Sequence, residues 1–234
     1  MCSLTLNGTR ALVDSREGGY ALLRCKSRTT SVERQVELLG GVAKKCERVA
    51  IIVLDAVNLE VFDRVFPRVM GNLRARIVYS EGYDTKTWLF RTFVLNPHRK
   101  LFGDFVYISA NAFAEMYYDI LSGVFKRVHA LSKRFWNRKL GTVEPRYVTL
   151  TAKMCAARRE DKLIAHYLQP HAPFIVGNEY FGSLRRGRKG LCPEYILARR
   201  SLEYRRLFRI LHERNLVYIL LHVRDKLIPF LRDR

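Results

Sequence analysis

The run Val49-Ala50-Ile51-Ile52-Val53-Leu54 is apolar at six consecutive positions, four of them β-branched, and stops at Asp55. A surface helix or a half-exposed strand would alternate apolar with polar residues. A continuous β-branched run of this length reads as a strand buried on both faces, as in a parallel sheet covered by helices. The pattern recurs along the chain. Leu59 to Met70 has helical spacing (Leu59, Phe62, Val65, Phe66, Val69) and closes at Gly71; 76–80 reads as a short strand; 85–94 reads as a helix; 105–109 is another strand. Helical stretches over 112–130 and 146–158 precede a further apolar strand, Leu163-Ile164-Ala165-His166-Tyr167-Leu168. Alternating strands and helices predict an α/β fold, a doubly wound, mostly parallel sheet with helices on both faces.

Outside this middle region the signals differ. Residues 1–30 carry turn markers, Asn7-Gly8 and Gly18-Gly19, with Tyr20 to Cys25 open to either a short strand or a helix start. A helix is expected from Ser31 as N-cap, with Val32, Val36, Leu38 and Leu39 grouped ahead of Gly40-Gly41. Residues 193–234 read as two amphipathic helices, one on Leu197, Leu202, Leu207, Ile210 and Leu211, the other on Leu216, Ile219, Leu220, Val223, Leu227 and Leu231. The division expected is an N-terminal extension, 1–45, and an α/β domain, 46–234.

Composition bounds the function classes. The 234 residues are 48% hydrophobic, with 12 Tyr and 13 Phe, which excludes a disordered chain. The longest apolar runs fall far short of the roughly 20 residues that span a bilayer, and the N-terminus has no signal-peptide pattern, so a soluble cytoplasmic protein is expected. Five cysteines without a CxxC pair fit small buried thiols better than a disulfide framework or a zinc finger. The net charge of +20 is uneven: residues 1–119 hold 17 Lys/Arg against 13 Asp/Glu, and residues 120–234 hold 25 against 9. A basic loop, Arg185-Arg186-Gly187-Arg188-Lys189-Gly190, lies in the second half. Such a surface attracts anions, whether phosphate groups or nucleic acid, and it also serves solubility and ion pairing.

In parallel α/β sheets ligands sit at the carboxyl ends of the strands. Those ends deliver Asp55, then Ser80 with the loop leading to Thr85, then Ser109-Ala110-Asn111, and finally His166 and His171. A carboxylate fixed by a strand suits a divalent metal, a hydroxyl beside it suits a nucleophile, and imidazoles suit an oxyanion. The same residues have plain structural readings: Asp55 and Thr85 as helix caps, His166 as a core histidine.

The wording of several segments carries a resemblance. Asp55-Ala56-Val57-Asn58-Leu59-Glu60-Val61-Phe62 resembles the Asp-Ala-Leu-Arg-Tyr-Asp opening of sulfatase-like proteins of the alkaline phosphatase superfamily. Val106-Tyr107-Ile108-Ser109-Ala110-Asn111 resembles their "YVSANP" strand, and Trp136 with Gly141-Thr142-Val143-Glu144-Pro145 their "W…GTV.P" segment. The run from His166-Tyr167-Leu168-Gln169-Pro170-His171-Ala172-Pro173-Phe174 is similar to "HYMQPHAPF". The resemblance covers about residues 45–230.

It implies an alkaline phosphatase/sulfatase-like fold and metal-dependent hydrolysis or transfer of phosphate or sulfate esters. Asp55 becomes the ligand of a divalent ion (Zn, Ca, Mg or Mn), Thr85 the nucleophile with Ser80 second, and Asn111, His166 and His171 the substrate contacts. The partner implied is an anionic phosphate- or sulfate-bearing substrate. The chain departs from the pattern in having Asn58 and Glu60 where the family has Arg and Asp, in lacking the Cys-x-Pro-x-Arg sulfatase signature, and in lacking the later Asp-His-Gly metal motif. A domain truncated before that motif, with an incomplete metal site, is the expectation. The alternatives are a catalytically inactive relative and a basic protein that binds anions or nucleic acid.

Overall fold

A computed structural model describes residues 2–6, 9–13, 21–24, 34–71, 74–77, 80–82, 84–138, 140–171, 174–176, 179–181 and 202–232. The basic loop at 185–190 lies outside them, as do Ser31, Tyr195 and the start of the expected 193–234 helices.

The protein is α/β with a mostly parallel sheet. Its centre is four parallel strands: β4 (Val49–Leu54), β6 (Val106–Ser109), β7 (Arg127–Ala130) and β10 (Lys162–Tyr167), in the spatial order β4-β10-β6-β7. On the β4 side the sheet continues through β1 (Cys2–Leu6), parallel to β4, then β2 (Thr9–Val13), β3 (Ala21–Arg24) and β5 (Arg74–Ile77). The N-terminal residues therefore contribute strands to this sheet: β3 takes the strand alternative of Tyr20 to Cys25, and the turn markers at 7–8 and 18–19 lie outside the described residues. The continuous apolar run at Val49–Leu54 is buried at every position, as its composition predicts.

Helices cover both faces. One face, with Ile51, Val53, Tyr107 and Ile164, packs against α1 (Gln35–Lys45) and α3 (Thr85–Leu89), whose last turn widens into a π-helical turn at Phe90–Val94. Trp88 and Phe93 fill this layer, edge to face at 5.4 Å between centroids, and the Trp88 Nε1–H donates to buried Gln35 Oε1 at 3.0 Å. The opposite face, with Ile52, Leu54, Ile108 and Ala165, packs against α2 (Leu59–Met70), α7 (Pro145–Ala157) and α8 (Leu202–His222). The α8 helix lies along α2, tied by Arg64 to Glu213 at 3.0 Å. Short helices α4 (Ala112–Met116) and α5 (Tyr118–Ser122) connect β6 to β7, and α6 (Ser132–Phe135) with the antiparallel pair β8 (Trp136–Asn137) and β9 (Thr142–Val143) leads on to α7.

Three elements differ from the sequence expectation. The α1 helix runs through Gly40-Gly41 to Lys45, because Leu38, Leu39, Val42 and Ala43 form one buried stripe that outweighs the low helix propensity of two glycines. A β-carbon at Gly41 would meet nothing within 4 Å, so Gly41→Ala is expected to stabilise the fold by about 1 kcal/mol. Chemical denaturation checks this: a higher midpoint at unchanged slope. Next, the stretch 112–130 is two short helices and then strand β7, an edge strand on which only Val128 is buried. Finally, the C-terminal segment is one helix from Leu202 that passes through a π-helical turn, Val223–Leu227, into α9 (Ile228–Arg232). Among the described residues no helix is long and apolar enough to cross a membrane.

Candidate functional site

The carboxyl ends of β4, β6 and β10 come together on one edge of the sheet. Register places His166 beside Val53 on one side and Ser109 on the other, and the Asp55 N–H donates to Tyr167 O at 3.2 Å. Asp55, one step beyond β4, is 1% exposed. The chain turns there through Ala56, whose φ of +55° lies in the left-handed region that residues with a β-carbon adopt rarely. The turn leads into α2, capped by the Asn58 side chain, which accepts from the Val61 N–H at 3.2 Å.

Two predicted residues meet Asp55. Thr85 Oγ1 donates to Asp55 Oδ1 at 2.9 Å, and Asn111 Nδ2 donates to Asp55 Oδ2 at 2.7 Å. Thr85 owes its place to Asp84, the N-cap of α3, which accepts the Thr87 N–H at 2.8 Å and the Thr87 hydroxyl at 2.7 Å. Those two bonds hold the Asp84 carboxyl below the usual carboxylate range. Since Asp84 caps the helix, the Thr85 hydroxyl is left to Asp55. Asn111 caps α4 in its turn, its Oδ1 accepting from the Phe113 N–H at 2.9 Å, so both ends of the amide are fixed. Ser80, the second nucleophile candidate, is folded into a local turn, bonding Gly82 through its hydroxyl.

The two histidines sit differently. His166 is fully buried, with Trp88 edge to face at 5.7 Å and the Tyr107 hydroxyl 2.7 Å from its Nδ1. The Asn111 N–H donates to Ser109 Oγ at 3.1 Å, and Ser109 Oγ lies 3.4 Å from His166 Nδ1. Among the described residues the other ring nitrogen, Nε2, is buried without a hydrogen-bond partner. A direct substrate contact, as the resemblance implies for His166, does not fit a ring without solvent-facing surface; it stands behind the site. His171 is exposed on the turn after β10, its N–H bonded to Leu168 O at 3.0 Å.

The structure adds a residue the sequence did not single out. His212 on α8 is 3% exposed and its Nε2 accepts the Asn58 N–H at 3.1 Å, so the helix is fastened to the loop that follows Asp55. His171 is close enough for its charge to disfavour a proton on His212. Burial pushes both His166 and His212 down from 6.5 to about 4, the Asp55 charge opposing the shift at His166 and His171 adding to it at His212. The unfolded chain therefore takes up these protons first. Stability is full above pH 6.5 and falls as the pH drops toward about 4, by roughly 3 kcal/mol per histidine over that span. Urea midpoints measured stepwise from neutrality to about pH 4 should fall throughout; a flat profile would contradict the two neutral rings.

The resemblance implies a divalent ion at Asp55. Such ions take about six oxygen ligands. Here both Asp55 oxygens accept hydrogen bonds, the Asn111 oxygen is spent on the Phe113 N–H, and among the described residues no three His, Cys, Asp or Glu side chains cluster at metal-binding distance. The described residues therefore do not make up a divalent-ion site. What they do make is a hydroxyl, a carboxylate and an amide joined in one hydrogen-bonded chain. No family model matches the chain, and no curated protein and no solved structure matches it.

Proposed function

We propose that the protein hydrolyses or transfers phosphate or sulfate esters, with Thr85 as nucleophile, Asp55 as its base and Asn111 as the residue that orients Asp55. The fold that goes with this reading is the doubly wound sheet of the alkaline phosphatase and sulfatase group. The observation that carries the proposal is the Thr85–Asp55–Asn111 hydrogen-bonded chain at the carboxyl ends of the parallel strands. The anionic character of the substrate is supported by the +20 net charge and by the motif resemblance.

In the first step the Thr85 oxygen bonds to phosphorus or sulfur as its proton passes to Asp55 Oδ1, the bond to the ester oxygen breaks, and the alkoxide takes a proton from solvent and leaves as the alcohol. Water then attacks the Thr85 ester and gives a proton to solvent; the bond to the Thr85 oxygen breaks, Asp55 returns its proton to that oxygen, and phosphate or sulfate leaves. Asn111 keeps the second carboxylate oxygen engaged, so that Oδ1 faces the hydroxyl. His171, at the exposed end of β10, supports the departing oxygen or the transferred group. Turnover of p-nitrophenyl phosphate, its diester and p-nitrophenyl sulfate, each with and without divalent ions, tests the reading. Release of p-nitrophenol that disappears in Thr85→Ala supports it, and equal release by the variant would sink it.

A further inference from the structure

A second concavity lies away from Asp55. It is a pocket of about 290 Å³ between the start of α1, the π-helical turn after α3 and the turn at 95–98, and it shares no lining residue with the chain of Thr85, Asp55 and Asn111. Its walls carry both signs of charge: Arg34, Arg91 and His98 against Glu37 and Glu81, with Leu95, 70% exposed, on the lining.

Part of this charge is already used. Glu81 Oε2 pairs with Arg34 Nη2 at 2.7 Å, and Glu37 Oε2 accepts the Arg34 N–H at 3.2 Å. What is left over is specific. Glu81 is 7% exposed, and among the described residues its Oε1 is buried without a hydrogen-bond partner. A carboxylate oxygen in that position lacks bonds worth about 1–3 kcal/mol. Among the described residues no acidic group pairs with the exposed Arg91 guanidinium, and the His98 ring makes no hydrogen bond.

We infer that this pocket binds a small zwitterion, a molecule with an ammonium group and a carboxylate or phosphate a few bonds apart. The ammonium lies against the Glu81 and Glu37 carboxylates, and the anion is taken by Arg91 and His98. The opposed charges argue against the simpler occupants: inorganic phosphate would face two carboxylates, and a plain amine would face two guanidinium groups. The volume suits a ligand of amino-acid size. This inference does not rest on the hydrolase reading.

Calorimetric titration of the full chain tests it. The probes are glycine, L-glutamate and L-lysine as amino carboxylates and phosphoethanolamine as an amino phosphate, with inorganic phosphate and ethylamine as the two halves. At least one zwitterion should bind, and more than tenfold more tightly than either half; the better arm then tells carboxylate from phosphate. Arg91→Gln, at an exposed position where folding is not at stake, should weaken that binding at least tenfold, and Glu81→Gln, if it folds, should do the same. Binding by none of the four zwitterions, equal binding by a half, or an unchanged affinity in Arg91→Gln would each overturn the assignment.

Discussion

Replacing Gly82 by alanine should disable the site and unfold a large part of the population, although the change adds one methyl group. An alanine β-carbon there would run into the Trp88 N, lie 2.6 Å from Trp88 Cα and 2.8 Å from the Thr87 carbonyl carbon. All three are backbone atoms of α3, so no side chain can rotate away, and either the loop or the helix must move. Overpacking against movable side chains already costs about 1–3 kcal/mol, and a backbone collision at these distances exceeds that range. The movement would also travel. Trp88 packs on His166 and Phe93, while Thr85, three residues before it, donates to Asp55. Gly82→Ala should therefore lower the thermal midpoint strongly and, in whatever fraction folds, remove turnover. A variant with unchanged midpoint would mean that the loop and α3 do not approach as described.

Asp55→Asn separates chemistry from folding. The amide has nearly the shape of the carboxylate, can still accept from Asn111 with its oxygen, and can donate to the Thr85 oxygen with its nitrogen. It cannot take a proton from Thr85. Turnover should fall by about 10²–10⁴, the usual contribution of a positioned base, while the thermal midpoint moves little. Asp55→Ala is the contrasting variant. It leaves the Thr85 hydroxyl and the buried Asn111 amide without their acceptor, each a loss of about 1–3 kcal/mol, so it should lower stability as well as activity. Equal activity losses with a stability loss only in alanine is the pattern expected of a base held by two donors.

The parts of this arrangement that were legible in the sequence are those set by short-range rules. A continuous β-branched run must be buried on both faces, and a parallel sheet then gathers its strand ends, which brings Asp55 and Asn111 to one edge. Thr85 is legible only as a nucleophile candidate or a helix cap; the structure gives the cap to Asp84 and the Thr85 hydroxyl to Asp55. The parts that were not legible depend on distant partners. The apolar groups ending at Leu211 and starting at Leu216 read as two C-terminal helices, but His212 and Asn215 between them are both buried, His212 against an N–H 154 residues earlier in the chain, and the helix runs on through them. Strand β7 was hidden because it is an edge: Arg127 and His129 keep solvent contact, and the residues before it carry helical spacing. His166 was read as a substrate contact from its motif, whereas its strand position points it into the layer with Trp88 and Tyr107. The metal expectation rests on the motif around Asp55, and the structure gives that carboxylate two donors, the Thr85 hydroxyl and the Asn111 amide.

The central claim is that the Thr85 oxygen is the nucleophile. The direct measurement is mass spectrometry of the full-length protein, acid-quenched during turnover of p-nitrophenyl phosphate and p-nitrophenyl sulfate and then digested. The account predicts a phosphoryl or sulfuryl group on the peptide containing Thr85, located at Thr85 by fragmentation, and no such adduct in Thr85→Ala. Turnover without an adduct, at a rate that Thr85→Ala leaves unchanged, would contradict it.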